Sequence, residues 1–253
     1  MRIWFHRFII AVLGAAIAAA ALFGIEIILA LQGNKEPPFV NPSHQPVHLG
    51  SAGSALVYVV LGDSTGAGRG AFYDDGIAIG TARHLALRHQ VTMTNFSISG
   101  AVAEDVVKRE LADAVALKPD IVLLSVGAND ATHFTSGSAL KSQVEVVIDS
   151  LQKASPSVKI VVTGCPQMGS IPRFAQPLRW FAGTQTTRVN SVFRSIAASR
   201  NITWARIADD TGEAFRKDPT LFASDKFHPN KRGYAVWMPT LNRALDSALK
   251  GRQ

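Results

Sequence analysis

A serine hydroxyl stands where an apolar run ends: Leu56 to Val60 leads straight into Leu61-Gly62-Asp63-Ser64-Thr65-Gly66, a strand followed by a turn. Such a hydroxyl is a weak nucleophile at neutral pH and needs a base beside it, usually a histidine oriented by a carboxylate. Near the other end the chain offers both together, in Asp225-Lys226-Phe227-His228-Pro229, spaced so that carboxylate and imidazole can share one tight turn. Between these segments, Asn95-Phe96-Ser97-Ile98-Ser99-Gly100 and Gly127-Ala128-Asn129-Asp130 each close a further apolar run. Taken singly, each has an ordinary structural explanation. Gly-Asp-Ser is a common turn, Gly100 a turn glycine, Asn129 a residue that satisfies its own backbone, and His228 a surface histidine ahead of a helix starting at Pro229 and Asn230. His133, just after Asn129, is a competing base.

Order and context bind the four segments together. They resemble the GDSL/SGNH hydrolase family, whose serine, glycine, asparagine and histidine would be Ser64, Gly100, Asn129 and His228. The His-Pro pair is followed by Gly233-Tyr234 and Trp237, as in many members, and the resemblance runs from about Ala55 to Leu249. One departure is Thr65 in place of the leucine of the first motif, a position that does no chemistry.

The resemblance implies a three-layer αβα sandwich, similar to flavodoxin, and a carboxylic-ester hydrolase of the esterase or lipase kind that works through an acyl-enzyme without a cofactor. Ser64 would attack the ester carbonyl, His228 would take its proton and return it to the leaving alcohol, and Asp225 would fix the imidazole tautomer. The oxyanion donors would be the backbone N–H groups of Ser64 and Gly100 with the side-chain amide of Asn129. The substrate class stays open among lipids, acylated glycans and small esters. So does the choice between hydrolase and acyltransferase, which differ only in the acceptor that takes the acyl group. The alternative from another class is a non-catalytic carbohydrate- or lipid-binding domain that keeps the fold, which the presence of every catalytic position disfavours.

Other chemistries find little support. Gly66, Gly68 and Gly70 follow the first strand, but Gly-x-Gly-x-Gly is neither the dinucleotide fingerprint nor a phosphate loop with its lysine. No histidine or cysteine cluster has metal-ligand spacing, so no metal is expected. Asp63 and Asp130 read as loop and cap residues, and Cys165, the single cysteine, as a small packing residue that cannot form an intramolecular disulfide. The net charge of +7 is scattered rather than blocked, which fits a solvated surface; no nucleic-acid motif accompanies it.

The elements that must position these residues follow from hydrophobic period. Strands are expected at Leu56 to Leu61, Val91 to Phe96, Ile121 to Val126, Lys159 to Thr163 and Ile202 to Ile207. Helices fit Gly76 to Arg88, Glu104 to Ala116, Ser138 to Lys153, Gln185 to Ser199 and Lys231 to Lys250. Short apolar runs alternating with helical segments make a parallel sheet of mainly five strands, covered on both faces, whose C-terminal ends gather the loops on one edge. The loop from Cys165 to Thr184 is too long for a connector. It carries Phe174, Leu178, Trp180 and Phe181, which read either as packing on the core or as an apolar wall for an acyl chain.

Residues 1–31 differ in kind. After Arg2 and Arg7 an apolar run from Phe8 to Leu31 is interrupted only by Glu26, long enough for an uncleaved signal anchor; a cleaved signal peptide is the other reading. In either case the basic end stays inside and the rest is exported, to the outer face of the membrane or beyond. Residues 32–54, with Pro37, Pro38, Pro42 and Pro46, read as a linker, and 55–253 as the hydrolase domain. No site motif lies ahead of residue 55, so the domain is expected to be active without the anchor.

Overall fold

The computed structural model describes residues 2–31, 39–200 and 202–250. Helix α1 (Arg2–Leu31) precedes β1 (Val47–Leu49) and β2 (Ser54–Gly62). There follow α2 (Ile77–Leu85), β3 (His89–Asn95), α3 (Ala103–Arg109), α4 (Leu111–Ala116) and β4 (Ile121–Ser125). The chain continues with α5 (Ala128–Thr132), α6 (Gly137–Ala154), β5 (Lys159–Val162), α7 (Leu178–Arg200), β6 (Thr203–Trp204), α8 (Ile207–Lys217) and α9 (Lys231–Lys250).

The strands form one sheet in the order β1-β3-β2-β4-β5-β6, parallel throughout except for β1, which pairs antiparallel with β3. Helices α2, α8 and α9 pack together on one face, and α3, α4, α6 and α7 on the other. A sheet covered on both faces has no solvent side, so its strands read as continuous apolar runs rather than alternating ones. β4, Ile-Val-Leu-Leu-Ser, is buried at every position. The core gathers around β2 and β4, where Tyr58, Val60, Leu61, Ile121, Leu123 and Leu124 are all fully buried. Tyr58 keeps its phenol satisfied there by a 2.7 Å hydrogen bond with Thr81 of α2.

Register decides where the functional loops emerge. Gly62 pairs with Ser125, so β2 and β4 end level. Beyond Asn95, Phe96 and Ile98 continue the ladder by donating to the carbonyls of Val60 and Gly62. Three loops therefore leave the same edge side by side, those after β2, β3 and β4. The approach of β2 to β4 is closest at Gly62, where an added Cβ would lie 1.9 Å from the Ser125 carbonyl oxygen, and φ there is +135°. No L side chain fits that space or that backbone.

The elements depart from the expected ones in four places. The segment read as a linker contributes β1, because His48, Val47 and Leu49 find the open edge of β3. The expected helix from Glu104 to Ala116 breaks at Glu110, whose carboxylate turns inward to Gly62. The last strand shrinks to Thr203–Trp204 and the chain then forms α8, whose buried face Ile207, Thr211 and Phe215 has the i, i+4, i+8 spacing of a helix. Helix α7 begins at Leu178, not Gln185, so the end of the long loop is helical. α1 contains one span, His6–Leu29, long and apolar enough to cross a membrane.

Replacing Gly62 by alanine should force the β2 and β4 ends apart. A loss of at least about 2 kcal/mol in unfolding free energy is expected by chemical denaturation, with the loops after β2 and β4 disordered as well. An unaltered denaturation midpoint would show that the edge can open without cost.

Candidate active site

Ser64 occupies the first tight turn beyond β2, and its neighbours pin it. Asp63 donates its backbone N–H to the Ser125 carbonyl at 2.9 Å, and the carbonyls of Asp63 and Ser64 accept from Ala67 and Arg69. The Asp63 carboxylate faces back into the turn, accepting from the N–H and hydroxyl of Thr65 at 2.8 and 2.7 Å. That leaves the serine hydroxyl, 5% exposed, pointing to a single ring: His228 Nε2 lies 2.9 Å from Ser64 Oγ. On the far side of the imidazole, Nδ1 is 2.5 Å from Asp225 Oδ2.

The Asp-x-x-His spacing works because the chain turns sharply between the two. Lys226 adopts φ +55°, and Asp225 Oδ1 accepts from the N–H groups of Phe227 and His228 at 2.8 and 3.0 Å. Burial alone would raise the Asp225 carboxyl, but the hydrogen bond and charge of His228 with those two amides outweigh it and hold the group well below the usual carboxylate range. Asp225 is therefore an anion aimed at Nδ1, which fixes Nε2 as the nitrogen facing the serine. Arg173 clamps the turn from outside: its Nε donates to the Asp225 carbonyl at 2.8 Å, its N–H to the Lys226 carbonyl at 3.1 Å, and its guanidinium lies 5.3 Å from the Phe227 ring centre. Sequence reasoning passed over Arg173, which stands inside the loop read as an apolar wall.

The neighbouring loops carry Gly100 and Asn129. Gly100 sits at φ +92°, with nothing within 4 Å of where a Cβ would be, so the backbone conformation rather than crowding calls for glycine. Asn129, in the first turn of α5, donates Nδ2–H to the Ala101 carbonyl at 2.9 Å, tying the Gly100 loop to the Asn129 loop. One of its two amide hydrogens is thereby committed to Ala101. His133 turns away, its Nδ1 2.8 Å from the Asn129 carbonyl, exposed at the end of α5; the serine's partner is His228. Asp130 accepts from the Ala103 N–H at 3.2 Å, at the start of α3. Cys165 is buried, and burial pushes its thiol far up, out of reach of reaction.

Beside this centre lies an apolar cavity of about 270 Å³. Phe174, Leu178 and Phe181 line it, with Phe227 and Met168 forming the wall shared with the Ser64 side. Trp180, expected to join them, does not: it is 67% exposed. The correction follows from α7 starting at Leu178. Two residues along a helix is a rotation of about 200°, whereas three, four and seven return to the same face, so Phe181, Ala182 and Gln185 accompany Leu178 into the cavity and Trp180 faces out. The cavity is completed by Phe23 and Ile27 of α1, a contribution that the expectation of an active domain without residues 1–31 left out.

With this geometry in view, comparison with known proteins is decisive at the level of family. The family model for the GDSL-like Lipase/Acylhydrolase family matches residues 60–236. The chain belongs to this family. A GDSL-like esterase of Mycobacterium tuberculosis is 27% identical over 197 residues, which make up 76% of this chain and 62% of that relative, so the chain spans less than two thirds of the relative's length. Among solved structures, a GDSL-like lipase from Parabacteroides merdae superimposes with TM-score 0.62 at 18% identity, over 78% of this chain and 99% of that one. An acetylxylan esterase from Geobacillus stearothermophilus gives 0.62 at 18%, over 76% and 95%. An extracellular lipase from Streptomyces rimosus gives 0.57 at 22%, over 75% and 99%. At these identities the structural likeness is one of fold.

Behind the GDSL serine turn, two acids are buried. Glu110 Oε2 accepts from the Gly62 N–H at 2.7 Å, while Oε1 is buried without a partner. Burial raises Glu110 to about 8, the Asp63 charge adding to the effect and the Gly62 bond opposing it. Burial likewise raises Asp63 to about 6, against the bonds from Thr65. A glutamate that ionises near 4.5 when unfolded and near 8 when folded holds its proton longer in the native state. Its contribution to stability is present in full below the unfolded value and is lost as pH rises through the folded one. Glu110→Gln, which keeps the acceptor for Gly62, should therefore flatten the fall in Tm between about pH 5 and about pH 8. Thermal melts across that range test this; a variant whose Tm falls as steeply as that of the wild type would contradict it.

Proposed function

We propose that the protein is an exported, membrane-tethered serine hydrolase of carboxylic esters. The observation that carries this reading is the continuous hydrogen-bonded chain Asp225–His228–Ser64, with separations of 2.5 and 2.9 Å, in an orientation that lets Nε2 accept the serine proton. Ser64 Oγ attacks the ester carbonyl as its proton passes to Nε2, and the Asp225 anion stabilises the resulting imidazolium. Negative charge that develops on the carbonyl oxygen meets the N–H groups of Ser64 and Gly100 and the Asn129 amide. Collapse of the tetrahedral species expels the alcohol, which takes the proton from Nε2. Water then enters by the same route and releases the acid. The esterases and lipases among the similar proteins support the reaction class, and membership of the family supports the serine mechanism.

The tether rests on α1. At about 1.5 Å per residue, 24 residues from His6 to Leu29 span roughly 36 Å, sufficient for a bilayer core of about 30 Å with some tilt. Arg2 and Arg7 at its start support a cytoplasmic N-terminus and an outward domain.

Hydrolysis of a chromogenic acetyl ester tests the reaction. Ser64→Ala and His228→Ala should each cost on the order of 10⁴- to 10⁶-fold in kcat, and Asp225→Ala less, since orientation is more replaceable than proton transfer. Asn129→Ala should cost roughly 10²- to 10³-fold. Turnover retained by Ser64→Ala would overturn the mechanism. For the tether, externally added protease should degrade the domain of full-length protein in intact cells; protection would reverse the topology.

A further inference from the structure

A plain membrane anchor has no use for an acid near its outer end, yet Glu26 interrupts the apolar run of α1 and is buried. Its Oε2 accepts from the N–H of Leu178 at 3.0 Å, the first residue of α7. A carboxyl oxygen there caps the first amide of α7, at the positive end of that helix's dipole, so α1 is docked to the domain by a specific contact and not merely joined to it. The docking is confined to the last turns: from Phe8 to Leu22 each side chain is exposed, whereas Phe23, Glu26 and Ile27 share one face and turn inward. Phe23 meets Phe181 edge-on at 5.5 Å, and Phe181 meets Phe134 at 5.7 Å. Phe23 and Ile27 thereby become part of the wall of the 270 Å³ cavity whose opposite wall, Phe227, adjoins His228.

We infer that α1 is part of the substrate site, and that the cavity holds the acyl chain of an ester residing in the bilayer. The inference rests on the hydrolase reading and extends it to a substrate class. With α1 spanning the membrane, Phe23 and Ile27 stand where the helix leaves the hydrocarbon, so the cavity lies at the level of the lipid interface. Phe134, 59% exposed, lines it on the protein side, while Trp180, one residue before Phe181 and 67% exposed on the outer face of α7, suits the boundary between acyl chains and headgroups. At about 30 Å³ for each water-sized group, the cavity accepts a chain of roughly nine carbons. Such a chain passes from the leaflet along α1 into the cavity with its carbonyl toward Ser64, and its apolar surface never crosses water.

The test uses full-length protein in phosphatidylcholine vesicles and compares kcat/KM for octanoyl and acetyl p-nitrophenyl esters. Phe23→Ala, which opens the wall, and Phe23→Trp, which fills the cavity, should each lower the octanoyl-to-acetyl ratio on the order of tenfold. Ile17→Ala, on the exposed part of α1, should leave the ratio unchanged. Binding of a fluorescent decanoyl ester to the same variants in a Ser64→Ala background gives a second readout independent of turnover, and should weaken in parallel. Ratios and binding both indifferent to Phe23 would overturn the role of α1. Wild-type protein that hydrolyses neither ester would instead overturn the hydrolase reading, and the binding measurement would still decide the cavity's occupant.

Discussion

The close approach of Gly62 to the Ser125 carbonyl is the constraint on which the site depends. Two parallel strands must end level for the loops after them to meet, and here they end so tightly that a single methyl group at residue 62 has no room. Everything chemical is measured from this point. Asp63 bonds to the same carbonyl, Ser64 follows in the turn, and Ile98 donates to the Gly62 carbonyl, which carries the Gly100 loop alongside. Glu110 reaches under the junction to hold the remaining Gly62 N–H, breaking a helix to do so and accepting burial of a carboxyl that stays protonated to about pH 8. The fold brings a close backbone approach and two buried acids, Asp63 and Glu110, together in one place, behind Ser64.

The other half of the site is local. Asp225 and His228 need only one turn with a left-handed residue between them, and that turn is then fixed by Arg173 and by Gly70, where an added Cβ would strike the Pro229 carbonyl and His228. A rigid strand end and a self-contained turn meet across 164 residues of chain through one 2.9 Å contact. Each half can be organised independently, and reactivity arises where they touch.

This division explains what was legible in the sequence. Ser64, Gly100 and Asn129 each follow an apolar run, and Asp225 and His228 share a short motif, so their grouping could be read from their order and context through the family resemblance, though from no one motif by itself. Arg173 and Glu110 could not, because their partners are backbone atoms far away in the chain and their neighbours look like ordinary loop and helix residues. β1 was hidden because three residues in a proline-rich stretch carry no period, and α8 because its buried face mixes Ile207 and Phe215 with Ala208, Thr211 and Gly212. Trp180 was misplaced for a different reason: its direction depends on which residue starts α7, and composition does not reveal that. Glu26 was visible as an interruption in α1, but its meaning lay in an amide 152 residues on.

The central claim is that Ser64, activated by His228, forms a covalent acyl intermediate. The most direct measurement is labelling of full-length protein with a fluorophosphonate, followed by peptide mass spectrometry. The account predicts one adduct, on the peptide holding Ser64, which is abolished by His228→Ala even though the serine remains. An adduct on another residue, or labelling of Ser64 that proceeds equally well without His228, would contradict it.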